Sequence, residues 1–158
     1  MKIRNLVAAV LVLTIVQSAS ANTAKAKART ILGAGTTMVA GGSGSPSFVP
    51  VITMIGIQWD GTKGTFDCLA LAPSHTAGSA NSGNFDSNIM YVTGQIHAVT
   101  FSGDIATITG DADCTGLGAG IGVPFVATVQ RGGPGARIVL MVSGLTFTET
   151  MFNGQIIF

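Results

Sequence analysis

Residues 89–112 read IMYVTGQIHAVTFSGDIATITGDA, two apolar and β-branched runs joined at Ser102-Gly103. Along the first run Met90, Val92, Ile96 and Ala98 fall on one side and Tyr91, Thr93, Gln95 and His97 on the other. The first set is therefore expected to face a core and the second to face water or a neighbour. Val99 and Phe101 break this alternation, which predicts a bulge between His97 and Thr100 or a strand passing between two sheets. Ser-Gly tolerates the positive φ angles of a tight hairpin, so the two runs are read as antiparallel neighbours.

The same pattern extends in both directions. Strands are expected near Ile31 to Val39, Val49 to Gln58, Gly64 to Ala72, Ile89 to Phe101, Ile105 to Ala112, Pro124 to Gln130, Ala136 to Thr148 and Gly154 to Phe158. Asp60-Gly61 and Gly132-Gly133-Pro134-Gly135 supply two more hairpin turns, and no segment after residue 21 sustains a helical apolar period. The expected fold is all-β, an antiparallel sandwich or small, partly open barrel of about eight strands. Three irregular joints, Gly41 to Ser47, Pro73 to Ser87 and Thr115 to Val123, are assigned to end loops or crossovers, which favours the sandwich or partly open barrel over a closed one.

Ahead of this domain, Lys2 and Arg4 form a basic head, Leu6 to Val16 an apolar run and Ala19-Ser20-Ala21 a small-residue exit. These are the three marks of a secretory signal peptide over residues 1–21. Its apolar run is too short for a membrane-spanning helix, and Asn22 stands where a lipoprotein would carry cysteine. Residues 22–30 read as a flexible tail and 31–158 as one domain, secreted to the periplasm or exterior, with no membrane span after leader removal.

From Thr30 onward only Lys63, Arg131 and Arg137 oppose all seven acidic residues, so the body offers no cationic surface for nucleic acid. In an oxidising compartment Cys68 and Cys114 are expected to form a disulfide. Closing that loop would contribute roughly 4 kcal/mol. A metal site built from Cys68, Cys114, His75 and His97 lacks the close ligand spacing that zinc requires.

Candidate chemistry is sparse. His75 and His97 would be the bases of a Ser/His/Asp hydrolase, but Gly41-Gly42-Ser43-Gly44-Ser45 is not a nucleophile elbow. Residues 116–122 are glycine-dense without the spacing of a phosphate loop, and no cofactor is implied. Asp111 and Asp113 begin a calcium-loop pattern, but Gly122 occupies the position where Glu is needed, so completion falls to Asp104 or Asp86. Trp59, Tyr91 and His97 are the candidate ligand-binding residues; core or sheet packing is the alternative for the two aromatics.

The run Tyr91-Val92-Thr93-Gly94, the segment from Gly103 to Gly110, the hairpin from Gln130 to Gly135 and the closing Gly154-Gln155-Ile156-Ile157-Phe158 together resemble the secreted bacterial domains that follow choice-of-anchor regions. That resemblance spans residues 91–158, implies an extracytoplasmic β-rich module without established enzymatic activity, and transfers no catalytic residue. Arg131 stands where many such domains carry Asp, so no polar site transfers.

The leading expectation is a secreted, non-enzymatic β module with a structural or binding role, its partner an unidentified cell-surface or extracellular one. An eight-stranded outer-membrane barrel is the second reading, prompted by the strand count, a positive mean hydropathy and the terminal Phe158. The third is a small-ligand barrel or hydrolase, with Met38, Met54, Met90 and Met141 lining an apolar cavity.

Overall fold

A computed structural model describes residues 28–39, 51–74 and 84–158. Eight strands follow one another: β1 (Ile31–Val39), β2 (Ile52–Trp59), β3 (Gly64–Ala72), β4 (Ser87–Ser102), β5 (Ile105–Gly116), β6 (Gly120–Gln130), β7 (Arg137–Val142) and β8 (Leu145–Ile157). Each pairs antiparallel with its predecessor, and β8 returns to β1. The sheet is thus a closed barrel rather than a sandwich or an open one. Closure leaves no unpaired edge, which a chain this poor in charge would otherwise have to protect.

Closure follows from longer strands than the residue pattern suggested. The glycine-rich joint at 115–123 shrinks to a three-residue turn between Gly116 and Gly120. Ser143 and Gly144 both adopt positive φ, 52° and 74°, and fold the expected single strand from Ala136 to Thr148 into the β7–β8 hairpin. The expected last strand, Gly154 to Phe158, is the end of β8. The expected bulge is present where the register slips between Ile96 and Ala98, and it turns Ala98 outward while bringing Val99 and Phe101 onto the inner face.

The barrel interior is apolar. At mid-height Phe66 and Phe125 stack with ring centroids 5.2 Å apart. Space for them comes from Gly94 and Gly110, where a Cβ would lie 2.7 Å from the Phe125 ring. One end is filled by Ile31, Trp59, Phe101 and Phe158. Arg29 and Arg131 cover this plug, the Arg29 guanidinium 4.1 Å above Phe101 and that of Arg131 4.7 Å from Phe158.

The expected disulfide is absent: both cysteines are buried free thiols. Cys68 on β3 pairs with Val92 on β4, and Val92 pairs with Cys114 on β5. The two thiols therefore sit two strands apart, about 10 Å between α-carbons by sheet spacing. Bridging tolerates no more than about 7 Å. The expected leader, residues 1–21, and the loop Gly41 to Ser47 lie outside the described residues, as does His75.

Candidate functional site

Among the described residues, the end of the barrel opposite the aromatic plug is hollow. A cavity of about 440 Å³ opens there, lined by Val51, Ala70, Ile89, Met90, Leu140 and Phe147 among others. β1 and β3 end here, and β2 and β4 begin here.

One polar cluster interrupts the apolar wall. Glu149, the sole glutamate of the chain, points inward from β8 and is 1% exposed. Thr37 and Thr53 face each other on β1 and β2, and both hydroxyls donate to Glu149 Oε2 while also contacting one another. The Cys68 thiol, from β3, lies 4.0 Å from Oε1. Four neighbouring strands, β8, β1, β2 and β3, thus each contribute one polar side chain. Thr53, Cys68 and Glu149 line the cavity, while Thr37 is fully buried.

Burial pushes the Glu149 carboxyl above its ordinary range, opposed by the two threonine hydroxyls. It pushes the Cys68 thiol well up too, reinforced by the adjacent carboxyl. Both groups are therefore biased toward neutral forms. Cys114, whose pKa burial also raises, is the other inward-facing thiol.

In comparisons with known proteins, no family model, no curated protein and no solved structure matches this chain.

The residues singled out from the sequence lie in separate places. Trp59 is buried in the plug at the closed end. Tyr91 is outward, its hydroxyl donating to Asp67 Oδ1 at 3.3 Å. His97 is the residue at the bulge and stands on the outer wall, Nδ1 3.6 Å from Asp111 Oδ2. Asp113 accepts the Gly122 backbone N–H at 2.9 Å, bracing the β5–β6 turn. Asp104 pairs with Arg131 beside the plug, and Asp86 accepts the Ser74 N–H near the open end. The carboxylates proposed to meet around calcium thus do not converge, and among the described residues no cluster of three His, Cys, Asp or Glu side chains is arranged for a metal. Of the four methionines that the third reading places around a cavity, Met90 lines one, whereas Met38, Met54 and Met141 are exposed on the outer wall.

Glu149, Thr37 and Thr53 were missed because Glu149 was placed between two strands. The signal was present nonetheless. Phe147, Glu149 and Met151 share one parity, so a continuous strand through them necessarily puts the carboxyl on the apolar face.

Proposed function

We propose that the protein is a secreted, non-enzymatic binding module that takes a small, largely apolar molecule into the open end of its barrel. The observation that carries this reading is the asymmetry of the interior, solid at one end and hollow around a single carboxyl at the other. A cavity of this size, mostly apolar with few convergent polar groups, has the character of a small-molecule site. Burial biases Glu149 and Cys68 toward their protonated forms, which suits hydrogen bonding better than nucleophilic attack, since attack needs a thiolate. The leader sequence and the resemblance to secreted domains support an extracytoplasmic setting.

The apolar interior and the outward polarity of β3 to β5 weigh against a lipid-facing barrel. Outer-membrane barrels carry polar side chains inside and an apolar band outside. Here the interior is apolar, and β3 to β5 present Asp67, Thr93, Gln95, His97, Asp111 and Asp113 outward.

Titration with small aromatic or alkyl probes, followed by NMR, tests the proposal. Methyl resonances of Met90, Leu140 and Leu145 are expected to shift while those of Met38 and Met141 stay in place. Ala70→Leu, which grows a side chain into the empty space, is expected to leave the barrel folded and abolish the shifts. Equal perturbation of inner and outer methyls would defeat the reading.

A further inference from the structure

We infer that the cavity selects an organic amine, an apolar body carrying one ammonium group that docks on Glu149. The inference rests on the binding function proposed above and adds the chemistry of its ligand.

It starts from the surroundings of the carboxyl. Glu149 is almost fully buried in an otherwise apolar wall, with the Thr37 and Thr53 hydroxyls on Oε2 and no counter-charge beside it among the described lining residues. A buried charge left unpaired is costly, so the empty site favours the protonated acid.

Charged or titratable groups that could interfere are few. On the three strands meeting Glu149 through this cluster, Thr37 and Thr53 are uncharged and only Cys68 titrates. From β4 come Met90 and Val92, from β6 Phe125 and Ala127, from β7 Ile138 and Leu140, all without charge; β5 contributes Cys114. No cation faces the carboxyl among the described lining residues. An ammonium entering the cavity would meet Oε1, the oxygen that accepts neither threonine hydroxyl. The Glu149 O–H bond then breaks and its proton passes to the buffer. The ligand keeps its own protons, and both threonine hydroxyls turn onto the resulting carboxylate. The same three side chains thus satisfy the acid before binding and solvate the anion after it.

Calorimetry with three probes of one shape tests this: phenylbutylamine, phenylbutanol and phenylbutyrate. The amine is expected to bind about 10-fold more tightly than the alcohol, through a charge-assisted contact, and the carboxylate to bind least. At a pH where the empty site holds its proton, amine binding should release close to one proton, read from the dependence of the heat on the buffer. Alcohol binding should release none. Glu149→Gln preserves shape and is expected to remove the released proton and bring amine and alcohol to similar affinity. Should the alcohol match the amine, or the preference survive Glu149→Gln, the amine inference falls and the binding function stands. Should none of the three probes bind wild-type protein, the binding function itself falls.

Discussion

The two ends of this barrel are made by the same eight alternating strands, yet one is packed and the other is hollow. The difference lies in side-chain size at the inward positions. At the closed end, Ile31, Trp59, Phe101 and Phe158 meet across the axis, with two guanidinium groups over the rings. At the open end Thr53, Cys68, Ala70 and Glu149 share the lining with Met90, Leu140 and Phe147, and these small or polar side chains leave part of the cross-section unfilled. Strand pairing closes the barrel, so stability can be concentrated at one end while the other keeps a cavity.

The sharpest way to break that contrast is to truncate one large side chain at each end. Trp59→Ala removes a buried indole from a filled layer and is expected to cost about 3–5 kcal/mol in urea unfolding. Leu145→Ala trims a half-buried side chain beside space that is already empty, and roughly 1 kcal/mol is expected. Equal losses would mean that the open end is as tightly packed as the plug.

A second difference is electrostatic. Glu149 ionises less readily in the folded barrel than in the unfolded chain, where its ordinary value is 4.5. Between the two pKa values the folded state holds more protons, so stability falls as pH rises. The contribution is complete below 4.5 and is lost as pH climbs through the raised folded value. Each unit of elevation is worth about 1.4 kcal/mol. Urea midpoints measured across this range should decline for the wild type and stay level for Glu149→Gln, apart from any slope shared by both proteins. A matching decline in the variant would assign the pH dependence to another group.

The closed end was the more legible of the two in the sequence. Its turns announce themselves through Asp60-Gly61, Ser102-Gly103 and Gly132 to Gly135, each at a hairpin that the structure contains. The slip after Ile96 was equally readable, because a bulge inverts parity and Val99 with Phe101 display the inversion. The open end was harder to read. Ser143-Gly144 carries the same turn chemistry as Ser102-Gly103, but continuous apolar residues on both sides hid it, and Glu149 was separated from its strand. Whether β8 would pair with β1 could not be read from local pattern, since closure depends on contacts between distant residues. Trp59 illustrates the remaining difficulty: an aromatic beside a turn can be a binding platform or a plug, and only the direction of its strand decides.

Smaller effects refine the closed end. Arg29 is exposed apart from its stacking on Phe101, so Arg29→Ala is expected to cost only about 0.5–1 kcal/mol. Differential scanning calorimetry should show a slight lowering of Tm with no change in probe affinity at the opposite end. A loss of probe binding on Arg29→Ala would show that the two ends are coupled.

The smallest expected effect is none at all, and it concerns the open end. A disulfide between Cys68 and Cys114 would staple the wall of the cavity and contribute roughly 4 kcal/mol. With Val92 interposed between them in the sheet, the thiols cannot meet without tearing β4 out of its register. Dithiothreitol is therefore expected to leave the urea midpoint unchanged, and denatured, unreduced protein should yield two reactive thiols. In native protein both thiols should react slowly, since burial raises their pKa values and keeps them protonated. Cys68 lines the cavity, so a bound probe should slow its modification further and leave the rate at Cys114 nearly unaffected. Finding no free thiols would require a different register for β3, β4 and β5, and with it a different arrangement of the cavity wall.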